Sequence, residues 1–222
     1  MKNSIIAFAL MVVASAELQA ASITVTNRLA ATLESTWITD NAGLFIANGA
    51  GVVAIGSFSD EADIGTAATA AALLSDFNQF GGSVSVSGVG TVSGLYANSI
   101  TASVSDGGFV DQAIYTVIGN AASLSSSCAF VVFRHDAVFP ADADNPTATV
   151  NAIVSHGSGD LLRGGTSTGD FNGNAVNTFT LARYLGIPCV PEPSAGVLGL
   201  LGMGFLAFRR RRQLLLGGVD EG

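Results

Sequence analysis

Charged residues are scarce in this chain, and their scarcity excludes two broad classes of protein. The 222 residues include 9 basic and 17 acidic side chains; 12% of the chain is charged and 49% is hydrophobic. Intrinsically disordered chains combine low hydrophobicity with high charge, so we predict a folded domain instead. Lys2 is the only lysine, and residues 22–190 contain four arginines against 13 acidic residues. That balance repels phosphate groups, which argues against a nucleic-acid partner.

Cysteine and histidine are nearly absent, which limits the chemistry that the sequence can specify. Cys128 and Cys189 form a candidate disulfide, which would persist in an exported protein and contribute about 4 kcal/mol in the chain-entropy model. We favour two separate thiols over this bridge, because Cys189 adjoins a proline-rich segment that should be exposed. His135 and His156 lie 21 positions apart without a cysteine pair, which is not a zinc-ligand spacing. No Gly-x-Ser-x-Gly motif occurs, so we interpret both histidines as surface loop residues beside strand ends and predict no catalytic residue.

Three acidic clusters could supply calcium ligands, and each has a simpler interpretation. Residues 60–63 can begin a helix, where carboxylates interact favourably with the helix dipole. Residues 142–144 lie in a loop flanked by prolines. Residues 170–174 have the first oxygen spacings of an EF-hand loop, but alanine and leucine occupy the positions that require glycine and glutamate. We therefore expect solvated loops without a metal site or cofactor, and keep a generic surface calcium site as the alternative.

The N-terminal residues have the three parts of a secretory signal peptide. The only lysine precedes an apolar run at residues 5–14, and small residues follow that run. The run is too short to span a bilayer core of about 30 Å. We predict a signal peptide over residues 1–21, cleaved after Ala20 or Ala21, with cleavage after Ala16 as the alternative.

The C-terminal residues combine three features in a fixed order. Pro191, Glu192 and Pro193 come first, and the two prolines favour an extended, exposed peptide. The apolar run at 195–208 predicts a transmembrane helix. It rises about 21 Å, and snorkelling arginines and local thinning of the bilayer can make up the difference from the bilayer core. Four consecutive arginines end the pattern: Arg209, Arg210, Arg211 and Arg212.

The arginine run predicts the orientation of the chain in a membrane. Clustered arginines beside a membrane helix stay in the cytoplasm by the positive-inside rule. Residues 213–222 would then form a short cytoplasmic tail, and the rest of the chain would lie on the other side of the membrane. The signal peptide predicts the same topology.

This tripartite ending resembles the PEP-CTERM sorting signal, which ends secreted proteins of Gram-negative bacteria. The resembling stretch is 190–212, within a predicted sorting domain at 187–212, and the recognition motif would be Pro191, Glu192 and Pro193. The resemblance implies that an exosortase, a membrane cysteine protease-transpeptidase, recognises the signal. It also implies an association with exopolysaccharide and biofilm. The precursor would be anchored in the inner membrane, and the product would reach the cell surface or the extracellular space.

Residues 22–186 are predicted to form one mainly β extracellular domain. Short alternating segments separated by glycine and asparagine turns favour an antiparallel β-sandwich-like fold. Strands are predicted at 22–26, 51–58, 83–87, 91–96, 99–104, 113–118, 129–134 and 147–154. The alanine-rich segment 66–80 predicts one helix with a glycine stop, and 177–185 predicts a second, shorter one.

Taken with the two ends, the body leads us to expect a non-enzymatic surface or extracellular-matrix protein. One alternative is a secreted polysaccharide-active hydrolase, which would need a pair of buried carboxylates in a cleft. The other is an adhesion module for carbohydrate or ice, which would need an extended face of threonines such as Thr24 and Thr26.

Overall fold

The computed structural model describes residues 20–28, 35–87, 89–90, 92–104, 107–140, 149–155 and 159–184. These residues are mainly β, which confirms the predicted class. Their strands are β1 (Ala20–Thr26), β2 (Trp37–Thr39), β3 (Val52–Phe58), β4 (Phe77–Gln79), β5 (Val84–Ser85), β6 (Ala97–Ser103), β7 (Ala113–Gly119), β8 (Ala129–Val138), β9 (Thr149–Ile153), β10 (Gly159–Arg163), β11 (Gly165–Phe171), β12 (Asn174–Thr180) and β13 (Ala182–Arg183). Their helix is α1 (Ala70–Ser75).

The strands form one large sheet and two small ones. The large sheet has the order β10-β8-β7-β3-β4, with β13 paired to β8 and β5 paired to β3. The small sheets have the orders β6-β1-β9 and β11-β12-β2. Most pairs are antiparallel, as predicted, but β1 pairs with β9 and β12 with β2 in parallel. The predicted antiparallel arrangement is wrong at these two pairs.

The central strands of the large sheet are buried on both faces. On one face, Val53 and Ile55 of β3 join a buried cluster, the inner core, which contains residues from all three sheets. On the other face, Val52 and Ala54 join a second cluster, the outer core, which includes Leu73 of α1. Because both faces are covered, β3 is an almost continuous apolar run rather than an alternating one.

The helix is much shorter than the predicted segment 66–80. The side chain of Thr69 accepts a hydrogen bond from the amide of Ala72 and caps the first turn, and Asp76 ends the helix. The following three residues instead form β4, because they pair antiparallel with the end of β3. Sheet pairing thus overrides the helix propensity of this segment. The predicted helix at 177–185 is also wrong, since most of its described part lies in β12 and β13.

Seven of the eight predicted strands overlap observed ones, but one of the seven overlaps only briefly and the eighth is not formed, each for a local reason. The segment 83–87 contains only the two-residue β5. The segment 91–96 forms no strand in its described part. There the fully buried side chain of Asn27 donates from Nδ2 to the carbonyl of Gly94 and accepts the amide of Tyr96 at Oδ1, both at 2.8 Å. This side chain takes up backbone groups that a strand would pair with a neighbour.

The strands that were not predicted near the C-terminus depend on special backbone positions. Gly164 has φ of 118° and separates β10 in the large sheet from β11 in a small one. The hairpin between β11 and β12 turns at Asn172 and Gly173, with φ of 54° and 81°. Positive φ at both turn residues is the requirement of a type I′ hairpin, and Asn-Gly meets it.

Candidate functional site

The predicted sorting residues lie outside the described part of the chain. This applies to Pro191 to Pro193, to Arg209 to Arg212 and to the membrane helix predicted at 195–208. Residues 1–19 of the predicted signal peptide also lie outside it. Within the described residues, no helix is long and apolar enough to cross a membrane.

The described residues that immediately precede the C-terminal segment are fixed to the large sheet. Strand β13 pairs with the start of β8, and the amide of Tyr184 donates to the carbonyl of Cys128 at 3.1 Å. The amide of Cys128 in turn donates to Oδ1 of Asn120 at 3.0 Å. The pairing of Cys128 with Cys189 stays a prediction, because Cys189 is outside the described residues.

His135 is not the surface loop residue that the sequence suggested. It lies in β8 and is only 4% exposed. Its Nε2 lies 2.8 Å from Oγ1 of Thr116 in β7, and the ring also bonds to the backbone of Ile153 in β9. Burial lowers the pKa of His135 to about 4, although the bond to Ile153 opposes this shift. The neutral ring therefore links three strands, which is a structural role; His156 lies outside the described residues.

The acidic cluster at 60–63 does not begin the helix, whose first turn contains no acidic residue. Instead, Glu61 accepts a hydrogen bond from the phenol of Tyr115 at 2.8 Å and lies 3.5 Å from Nη1 of Arg134. Desolvation and the Glu61 acceptor raise the pKa of Tyr115 to about 12. These contacts hold the loop before α1 against the outer face of the large sheet.

A second arginine holds the far end of the same loop. Nη1 of Arg163 donates to the carbonyls of Ile64 and Ala67, both at 3.3 Å. Its guanidinium carbon lies 3.9 Å from the centroid of the Tyr184 ring, a cation–π contact. Sequence reasoning did not find either arginine contact, because the partners are far apart in the chain.

The described carboxylates do not form the arrangement that glycoside hydrolysis requires. Every described aspartate and glutamate is exposed or half-buried, so no buried carboxylate pair occurs among them. No group of three metal-ligating side chains occurs among the described residues either, and 142–144 lie outside them. Asp170 is part of the hairpin turn, where its Oδ1 accepts the amide of Gly173 at 2.9 Å.

The threonines of β1 face outward, but they do not form an extended array. Oγ1 of Thr24 lies 3.3 Å from Oγ of Ser99 on the neighbouring strand. The hydroxyl of Thr26 donates to the carbonyl of Tyr96 at 3.1 Å. Their hydroxyls are therefore engaged within the domain rather than presented as a regular threonine surface.

Three aromatic side chains form a cluster that sequence reasoning did not single out. The ring centroid of Trp37 lies 4.3 Å from that of Phe171 and 5.1 Å from that of Phe45, and the two phenylalanine rings are 6.0 Å apart. We call these three residues the aromatic cluster. They come from β2, the loop after it and the end of β11, so only the tertiary fold brings them together.

Local contacts hold Phe45 in the aromatic cluster. Oδ1 of Asp40 accepts the amides of Ala42 and Leu44, at 2.8 and 2.9 Å, which fixes the preceding turn. The Phe45 ring lies over Gly169, where an added Cβ would be only 3.2 Å from the ring. Glycine at this position leaves the space that the ring occupies.

Comparison with known families locates the sorting signal. Residues 190–213 match the PEP-CTERM protein-sorting motif, which confirms the resemblance of the C-terminal segment. The chain matches no curated protein and no solved structure. The C-terminal segment is a PEP-CTERM sorting motif, which marks the chain for export and for sorting by an exosortase.

Proposed function

We propose that the protein is a non-enzymatic surface or extracellular-matrix protein, processed by an exosortase at its Pro-Glu-Pro motif. The observation that carries the proposal is the match of residues 190–213 to the PEP-CTERM protein-sorting motif. The surface positions of the described carboxylates and the buried, structural role of His135 support a body without hydrolytic chemistry. Association with exopolysaccharide is part of the proposal through the same motif.

The proposed precursor is held in the inner membrane before it is processed. The apolar run at 195–208 would cross the bilayer, and the arginines at 209–212 would keep its end in the cytoplasm. The acidic body would then lie outside the membrane. Processing at the motif would separate the body from this anchor.

The start of the N-terminal strand helps to choose between the predicted cleavage sites of the signal peptide. β1 begins at Ala20, which pairs with Ser103, and Ala21 is only 4% exposed. Cleavage after Ala21 would remove both residues from the sheet, whereas cleavage after Ala16 leaves β1 whole. We therefore favour Ala16, which also ends a small-x-small site. N-terminal sequencing of the exported protein should begin at Glu17, and a start at Ser22 would contradict this choice.

Mass spectrometry of the C-terminus tests the processing step. The full chain is expressed in Gram-negative cells that contain an exosortase and in matched cells from which the exosortase has been deleted. We expect the exported protein to lack the residues that follow the motif only in the first cells. A tail that ends at Gly222 in both strains would refute processing.

A further inference from the structure

The aromatic cluster lies outside both hydrophobic cores of the domain. Ile38, the middle residue of β2, belongs to the inner core, and successive side chains of a strand point to opposite faces. Trp37 therefore lies on the outer face of the small sheet, and neither core includes it. Phe45 and Phe171 cover it and are themselves half-exposed. Phe45 and Phe171 thus form a partly exposed aromatic surface over the buried Trp37.

Polar side chains are exposed at the hairpin that carries Phe171, and Asn174 pairs with Phe171 across this hairpin, so these two side chains lie on the same face. Asp170, Asn172 and Asn174 are exposed at the tip of the hairpin that carries Phe171. Amide groups donate to and accept from hydroxyls, carboxylates accept from them, and an aromatic ring offers an apolar face. A sugar ring presents both kinds of surface, because its axial C–H groups are apolar and its hydroxyls are polar. The combination of half-exposed rings and exposed amides therefore fits a carbohydrate.

The charge of this region favours a neutral chain over an acidic one. Asp40 precedes Phe45 and Asp170 precedes Phe171, so two carboxylates flank the rings in sequence. The body as a whole is acidic, with four arginines against 13 acidic residues in 22–190. A polyanionic polysaccharide would be repelled by this charge, and a neutral one would not.

The surface is also held in place before any ligand arrives. The turn at Asp40 fixes the backbone before Phe45, and Gly169 lies directly beneath the Phe45 ring. Phe171 ends β11 at a hairpin whose turn is closed by Asp170. Side chains that are already ordered lose less conformational entropy on binding.

We propose that the aromatic cluster binds a neutral polysaccharide by stacking sugar rings on Phe45 and Phe171. Asn172 and Asn174 would hydrogen-bond the sugar hydroxyls. This inference rests on the proposed function, because only an exported protein meets extracellular polysaccharide. It gives the body a ligand class and a site, which the sorting motif does not.

The chain contains a built-in reporter for this site. Trp37 is the only tryptophan, so its fluorescence reports on the aromatic cluster alone. The exported, processed protein is titrated with cellohexaose, maltohexaose and laminarihexaose, three neutral sugars of different linkage. We expect a saturable change in emission with at least one of them. Phe171→Ala should weaken that binding about tenfold, the equivalent of ~1.4 kcal/mol.

Two further variants separate ligand binding from folding. Phe171→Leu keeps an apolar side chain but removes the ring, so it should fold and still bind weakly. Phe77→Ala is the matched control, because it removes another half-buried ring, one that packs on Phe58 at 5.1 Å in the outer core. This variant should bind as tightly as the wild type. Equal loss of binding in Phe77→Ala and Phe171→Ala would overturn the site.

The remaining outcomes also decide the proposal. It is overturned if none of the neutral sugars changes the emission and the protein is not retarded in gels containing dextran or hydroxyethyl cellulose. It is equally overturned if the anionic polymer alginate alone binds, or if the aromatic cluster mediates dimerisation without sugar. A correctly processed C-terminus with no sugar binding refutes this inference and leaves the proposed export and processing standing. Sugar binding by a protein with an unprocessed tail would refute the proposed processing and leave the sugar-binding site standing.

Discussion

The sorting motif depends on residues that are adjacent in the sequence, whereas the folded body depends on contacts between distant residues. The motif at 190–213 is recognised from residues that are adjacent in the sequence. The notable features of the body join residues that are far apart, as when Trp37 meets Phe171 or Asn27 meets Gly94. A change in the motif should therefore affect sorting without affecting folding. A change in the body should affect folding without affecting sorting. Four predictions test this separation.

The largest effect is expected from the motif itself. The triple variant Pro191→Ala, Glu192→Ala, Pro193→Ala removes the extended peptide and its carboxylate, so C-terminal processing should be abolished. The midpoint of urea unfolding should not change, because the variant alters no residue of the two cores or of the three sheets. Mass spectrometry of the C-terminus and urea denaturation measure the two effects. Ser194→Ala is the matched control and should be processed normally. A shifted unfolding midpoint in the triple variant would show that motif and body are not separate.

The predicted disulfide would be the one covalent link between the two regions besides the backbone. If Cys128 and Cys189 pair, the double variant Cys128→Ser, Cys189→Ser should lose about 4 kcal/mol of unfolding free energy, because the unfolded chain regains its loop entropy. Reduced wild-type protein should match the double variant in urea denaturation. Peptide mapping without reductant should show the two cysteines linked. Two titratable thiols in the unreduced, unfolded protein would instead support the alternative of separate thiols.

Asn27 should be the most sensitive polar residue of the body. Its side chain makes three buried hydrogen bonds, including one to the carbonyl of Thr36, so Asn27→Ala leaves their partners unsatisfied. We expect a loss of about 3 kcal/mol in unfolding free energy. Asn98→Ala is the matched control: Asn98 is half-buried and donates to the carbonyls of Ser85 and Ser87, so this variant should lose less than about 1 kcal/mol.

C-terminal processing should distinguish these body variants from the motif variant, because only the motif variant should lose it. Asn27→Ala protein that is exported at a permissive temperature should carry a normally processed C-terminus. Equal destabilisation by the two asparagine variants would mean that the burial of Asn27 does not increase its contribution to the unfolding free energy.

The smallest effect is a pH dependence that arises from His135. Its pKa is about 4 in the folded state and near 6.5 in the unfolded state, so the unfolded chain binds the proton first as the pH falls. Stability should be constant above about pH 7 and fall by about 2 kcal/mol by about pH 5. Urea denaturation at a series of pH values measures this loss. His135→Gln removes the titrating group and should flatten the profile over this range. An unchanged slope in that variant would assign the pH dependence to other groups.

The parts of the molecule that sequence predicts are those with a local signal. The alternation of β1 and the apolar runs of β3, β7 and β8 depend on which faces are buried, and burial leaves a pattern in each strand. The C-terminal signal is local by nature, and it was predicted and confirmed. The predicted helix failed because the affinity of Phe77–Gln79 for β3 is a long-range property.

The features of the body that sequence did not predict share a physical cause. The β11–β12 hairpin is polar on much of both faces, so its strands lack the apolar alternation that marks a half-buried strand. Its Asn172-Gly173 turn was the available signal. The ring of His135 bonds to Thr116 and Ile153, and neither lies near it in the sequence. The aromatic cluster likewise depends on three separated segments and gives no local pattern.

The placement of β1 has a consequence for the order of events during export. This strand lies at the centre of its sheet, yet its partners begin only at Ala97 and Thr149, and the partner of β2 begins at Asn174. A chain that crosses a membrane from its N-terminus delivers β1 and β2 long before those partners. Neither small sheet can form completely until nearly the whole body has crossed. The part of the chain that crosses first therefore stays incompletely folded during translocation. Only β13 then remains before the sorting motif emerges, and completion of the fold and arrival of the signal fall at the same stage.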